Sequence, residues 1–170
     1  MKTRATLFIL ALFLLVISFP RLSFAVAVTS PVQEKKQEYL LPFPGILPDH
    51  PLYFFKQVRD GILDRLIVNP LRKAEFHILQ ADKRLNMGVV LLEQKKETLA
   101  ETTISKGEKY MERAMSGLSA FKSMGRPVPA SIIDKLTRSM EKHVEVLEKT
   151  NFTGTLALVK KLQSEIEKLK

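Results

Sequence analysis

Residues 69–93 read NPLRKAEFHILQADKRLNMGVVLLE, and the spacing within them decides the fold class. Leu71, Ala74, Ile78, Ala81, Leu85, Val89 and Leu92 recur at steps of three and four. On a helix those steps draw one apolar stripe over roughly 22 residues, about 33 Å at 1.5 Å per residue. Asn69 can cap such a helix, and Pro70 suits its first turn, where no amide donor is needed. A long helix that is apolar on one stripe must bury that stripe, so its neighbours in sequence are read for partners.

Upstream, Asp49 is placed to cap a first helix, with Pro51 in its first turn and Leu52-Tyr53-Phe54-Phe55 as apolar bulk. Val58, Ile62, Leu63, Leu66 and Ile67 continue the helical spacing. Downstream, Gln94-Lys95-Lys96 predicts a tight turn. A third helix from near Glu97 to Lys122 then turns Ala100, Thr103, Gly107, Tyr110, Ala114, Leu118 and Phe121 inward. Its small residues predict close approach to a neighbour. Gly125, Pro127 and Pro129 break the pattern. A fourth helix, with Ser131 near its first turn, carries Ile132, Ile133, Leu136, Met140, Val144 and Leu147. After Asn151 and Gly154, a short charged helix from about Thr155 ends with Leu158, Leu162, Ile166 and Leu169. No strand-like alternation competes. The expectation is an all-α, up-and-down bundle of four main helices plus a short C-terminal helix, because short loops favour antiparallel neighbours.

The segment before the bundle has a different character. Residues 40–51 contain Pro42, Pro44, Pro48 and Pro51, each lacking a donor and fixing φ. An extended proline-rich segment is expected, lying on the domain and burying Leu41, Phe43, Ile46 and Leu47. Residues 26–39 are polar, lack periodicity and read as a flexible linker. The first residues show a targeting pattern: Lys2 and Arg4, an apolar run from Ala5 to Phe19, then small residues at Ser23, Ala25 and Ala27. That run falls short of the ~20 residues that span a bilayer. It reads as a signal peptide over residues 1–25, cut after Ala25 or Ala27. The rival reading is an uncleaved membrane anchor. The helical domain then occupies residues 52–170.

Composition narrows the function. The chain has 27 Lys and Arg against 18 Asp and Glu, a formal charge of +9. Lys2, Arg4 and Arg21 precede the cleavage point, so the mature chain keeps 24 basic residues against 18 acidic, or +6. Many of these lysines sit among glutamates, as on solvated helix faces. A nucleic-acid role fits poorly, because aromatic and basic residues are not interleaved as a stacking platform requires. The absence of cysteine removes disulfides, thiol nucleophiles, zinc-thiolate sites and lipoprotein attachment.

Several stretches together carry a family resemblance. They are Tyr39-Leu40-Leu41-Pro42, Pro48-Asp49-His50-Pro51-Leu52-Tyr53 with Lys56 and Arg59-Asp60, Asn69-Pro70, Arg72-Lys73-Ala74-Glu75, and Ala81-Asp82-Lys83-Arg84-Leu85. They resemble an exported bacterial helical family, domain of unknown function 5667, over about residues 39–115. The chain departs from that family's arginine-rich second motif at Lys73 and at Asp82-Lys83-Arg84. The resemblance implies a fold and no activity.

Candidate chemistry is sparse. A metal would need ligands such as His77 with Glu75 or Asp82, or His50 with Asp49. His77 has no strong ligand three or four residues away, and His143 lies at the edge of an apolar stripe, so no metal site or cofactor is expected. Ser-x-x-Lys, which activates serine in some exported acyl-enzymes, occurs at Ser119/Lys122 and Ser139/Lys142 without its companion motifs. Lys56, Asp60, Asp82 and Arg84 read as an ion-pair cluster fixing the register of the first two helices, or alternatively as a polar ligand pocket. No catalytic constellation assembles, so a non-enzymatic, exported helical interaction or scaffold domain is expected, its partner another exported protein. The alternative is a peripheral binder of anionic lipid or cell-wall polymer, acting through its basic surface and lysine-rich last helix. A metal-binding helical sensor is the third reading. No small-molecule substrate is indicated.

Overall fold

The computed structural model describes residues 38–170. The signal peptide expected over residues 1–25 and all but the end of the linker over 26–39 lie outside the described residues. Five α-helices follow: α1 (Tyr53–Leu66), α2 (Pro70–Glu93), α3 (Glu97–Ser123), α4 (Ala130–Leu147) and α5 (Thr153–Glu165), with a terminal 3₁₀ turn at Ile166–Leu169. Among the described residues there is no strand.

Residues 69–93 are the frame of the domain. Asn69 caps α2 through its side-chain oxygen, which accepts from the amides of Leu71 (3.0 Å) and Arg72 (3.2 Å). The helix ends at the expected Gln94-Lys95-Lys96 turn. Lys95 adopts φ 60°, and the Lys96 amide donates back to Leu91, so α3 runs antiparallel along α2. The two backbones meet closely at the small residues. A Cβ on Gly107 would stand 3.0 Å from Arg84 Cβ and 3.2 Å from the Ala81 carbonyl, and one on Gly88 would fall inside the Ile104 side chain.

The helix contacts form a ring: α2 against α3, α3 against α5, α5 against α4, and α4 against α2. Ile78, Leu85, Ile104, Met111, Leu118, Leu136, Met140 and Leu147 fill its centre, each fully buried. Val159, Leu162, Ile166 and Leu169 close it from the C-terminal side, so the last helix is a wall of the core. The four main helices expected from the sequence ended at α4; the contacts admit α5 and leave α1 outside.

The start of α1 differs from expectation. Leu52 occupies the N-cap position without a side-chain bond, and Asp49 pairs instead with the Lys96 ammonium at the α2–α3 turn. The first turn is held by the Tyr53 amide donating to the His50 carbonyl at 2.9 Å. Proline at 51 delays the helix, because Asp49 would need the amides that follow it and one of them is missing. The proline-rich segment also buries less than expected. Leu41 and Leu47 are half-buried, whereas Phe43 is 82% exposed and Ile46 is exposed. Polar bonds tie the segment down: Asn86 donates to the Pro42 carbonyl at 2.9 Å, and Lys56 donates to the Pro44 carbonyl at 3.2 Å.

Candidate interaction surface and the buried charge cluster

At the centre of the ring, three helices contribute ionisable side chains to one cluster. His143 of α4 is fully buried between Glu108 of α3, whose Oε1 lies 2.7 Å from Nδ1, and Asp82 of α2, whose Oδ1 lies 3.1 Å from Nε2. A neutral imidazole has one N–H and could donate to only one of these carboxylates; the protonated ring donates to both. Burial works against the proton on His143, but Glu108 and Asp82 together outweigh it and push the pKa up to about 9. Asp82 accepts two further bonds, from Ser139 Oγ at 2.5 Å and from Tyr39 Oη at 2.6 Å. Burial and the bond to Asp82 hold the Tyr39 phenol well above its ordinary range.

This arrangement is built to hold charge in place. The two carboxylates approach opposite edges of the imidazole, so they do not converge on one ion. Among the described residues no group of three His, Cys, Asp or Glu side chains is placed to hold a metal. Ser139 is buried and donates its proton to Asp82, not to the histidine.

The other candidates disperse. His77 does find a partner, but on α1: Asp64 Oδ1 lies 2.6 Å from its Nε2, with Lys73 3.9 Å from the same oxygen. The Nδ1 of His50 accepts from the Leu52 amide at 3.1 Å. Lys142 turns to Glu145 at 2.9 Å rather than to Ser139, and Lys122 donates to the Lys168 carbonyl at 3.0 Å rather than to Ser119, so neither Ser-x-x-Lys pair assembles. Lys56, Asp60, Asp82 and Arg84 do not form one cluster either. Asp60 takes Arg59 at 2.8 Å, Asp82 faces α4, and Arg84 donates to the Gln80 side-chain oxygen at 3.1 Å while stacking 4.3 Å from the Tyr110 ring centroid. Glu108 went unread in the sequence. Its signal was a carboxylate one turn after Ile104, on a face that had to be buried.

The second unusual feature is α1. Its polar side chains face the domain: Asp60 is buried, Asp64 meets His77, and Lys56 reaches the Met87 sulfur at 3.8 Å. Its apolar side chains face outward, with Phe54 65% and Phe55 68% exposed and Val58, Ile62, Leu63 and Leu66 also in water. The helix is amphipathic but inverted relative to a core-packing helix. Beside it, Phe43, Ile46, Leu52 and Phe55 line an open groove of about 710 Å³, to whose lining Lys56, Arg59 and Lys83 also contribute. Burial lowers the Lys56 pKa to about 8, with the neighbouring cations adding to that against the pull of Asp60.

Fold and surface together define an all-helical domain with a buried ionic centre and one apolar face left open. The sequence profile of the domain of unknown function DUF5667 matches residues 45–168, and the chain belongs to that family. The match runs through α5, well past residue 115, where the resemblance read from the motifs ended. Neither curated proteins nor solved structures match the chain. No helix among the described residues is long and apolar enough to cross a membrane.

Proposed function

We propose that this chain is an exported, non-enzymatic docking domain whose working surface is the outward face of α1 and the groove beside it. The observation that carries the reading is the inversion of α1. A helix that turns its carboxylates and lysine inward and its phenylalanines outward has not been used to build the core. Contiguous apolar surface of this kind marks an interaction site. The charged residues of the ring fit a scaffold, because each is occupied in holding helices together. The targeting pattern at residues 1–25 supports export, and the antiparallel α2–α3 hairpin supports an up-and-down course for the bundle, with the proline-rich segment lying along it.

The test is site-specific photo-crosslinking in cells. A photoreactive residue at Phe55 or Ile62 of the full chain is expected to give adducts that the same residue at Ala157, on the outer side of α5, does not. Equal labelling at both places, or none at α1, would remove the reading.

A further inference from the structure

We infer that the outward face of α1 docks on the surface of an anionic bilayer, with the helix axis in the plane of the interface. This rests on the docking reading above and names the occupant.

Three observations select a bilayer. The first is the side-chain chemistry. Phe54, Phe55, Ile62 and Leu66 form the outward stripe, and Phe43 and Leu52 extend it into the neighbouring groove. Aromatic and aliphatic side chains on one face, with basic residues at its edges, are what an interfacial helix buries into the boundary between headgroups and acyl chains. The second is charge. Arg59 and Lys83 line the groove and Arg65 is exposed further along α1, whereas Lys56 is turned inward to the Pro44 carbonyl and the Met87 sulfur. The carboxylates of α1 are spoken for: Asp60 is buried against Arg59, and Asp64 is held by His77 and Lys73. The face therefore shows cations and hydrocarbon to its partner. Long basic side chains can lie along the apolar surface and place their heads at the phosphates, each adding attraction to an anionic leaflet.

The third observation is size. A 14-residue helix presents a strip of roughly 21 Å by 10 Å. That is well below the ~800 Å² that each partner of a stable protein pair contributes. A second copy of the chain would also bring the same cations against these. A fluid interface asks for neither a complementary shape nor a large footprint, and it supplies the opposite charge.

The chain has no tryptophan, so a single reporter can be placed without background. In the full-length protein, Phe55→Trp and, as a separate reporter, Ala157→Trp on the lysine-rich α5 would be titrated with phosphatidylglycerol vesicles. Residue 55 is expected to shift its emission to the blue and to be quenched by brominated acyl chains. Residue 157 is expected to stay at its aqueous position. Neutral phosphatidylcholine vesicles should bind at least tenfold more weakly, because the basic side chains lose their partners. Phe55→Asp combined with Ile62→Asp should weaken vesicle binding about a hundredfold, with an unchanged thermal melt showing that the domain is still folded.

A blue shift and quenching at 157 but not at 55 would overturn the inference and move lipid binding to the last helix. A shift at 55 that follows protein concentration without vesicles would replace the bilayer by a second copy. Vesicle binding in which neither reporter is quenched would place contact elsewhere in the chain and also overturn it. If residue 55 stays aqueous with vesicles but still crosslinks to a protein in cells, the docking reading survives and the bilayer falls. If residue 55 neither inserts nor crosslinks, both fall.

Discussion

The middle of the helical ring and the surface of α1 break the usual distribution of side chains in opposite ways. In the ring, Asp82, Glu108 and His143 are buried, though charged groups are seldom found inside a protein. On α1, Phe54, Phe55, Ile62 and Leu66 remain in water. The inner anomaly is compensated, since His143 bonds both carboxylates and Asp82 accepts from Ser139 and Tyr39 as well. The outer one has no such compensation within the described residues. A compensated anomaly explains how helices find their register; an uncompensated one points to a partner.

The inner half of the comparison can be broken most severely at Asp82. Asp82→Ala would strand the His143 proton and two hydroxyl donors, so a loss of about 3–5 kcal/mol is expected, as for other broken buried ion pairs. Urea unfolding measures it. Replacing the cluster together, with Asp82→Leu, Glu108→Met and His143→Leu, should recover most of that loss, because the desolvation cost leaves with the charges. Recovery would show that the cluster serves register more than stability. Failure to recover would assign it net stabilisation.

The same cluster sets a pH dependence. An unfolded histidine titrates near 6.5, whereas His143 in the fold holds its proton to about 9. The folded state binds that proton more tightly, so the stabilisation is complete below about pH 6.5 and fades as pH rises through 9. Lys56 acts in the opposite sense, since its folded pKa is lowered to about 8 and deprotonation relieves its burial. The contrast between parent and His143→Met therefore isolates the histidine: unfolding midpoints measured from pH 6 to pH 10 should fall more steeply in the parent.

Much of the ring was legible in the sequence and its centre was not. Ala74, Ile78, Ala81 and Leu85 were readable because helical periodicity is local, and they are buried where the spacing put them. Asn69 was readable as a cap for the same reason. The partners of His143 come from 35 and 61 residues away in sequence, beyond any search confined to one helical turn. The reading of α1 failed differently. Its 3–4 spacing is real, but spacing reports that a face is apolar and not which way the face points. On the opposite side of that helix Asp60 is buried and Asp64 meets His77 of α2.

Two glycines sharpen the contrast with smaller effects of opposite sign. Gly107→Ala should destabilise, because its Cβ meets Arg84 Cβ and the Ala81 carbonyl. Overpacking costs about 1–3 kcal/mol, which outweighs the ~1 kcal/mol that alanine gains in helix propensity. Gly61→Ala on α1 has nothing within 4 Å of its new methyl group. It should stabilise that helix by about 0.5–1 kcal/mol, read as slower amide exchange across Tyr53–Leu66.

The smallest expected effect gives the closest test of the outer half. Phe54→Ser, Phe55→Ser and Ile62→Ser, made singly, should each change the unfolding free energy by no more than about 0.5 kcal/mol, as exposed substitutions do. An apolar side chain packed in a core would instead cost about 2–5 kcal/mol on truncation. The two outcomes differ by more than the error of a urea titration on one preparation. A near-zero result leaves these side chains free for docking, since removing them costs the isolated fold nothing. A loss of 2 kcal/mol or more at any of the three would mean that α1 is buried within the chain itself, and the contrast between the two regions would disappear.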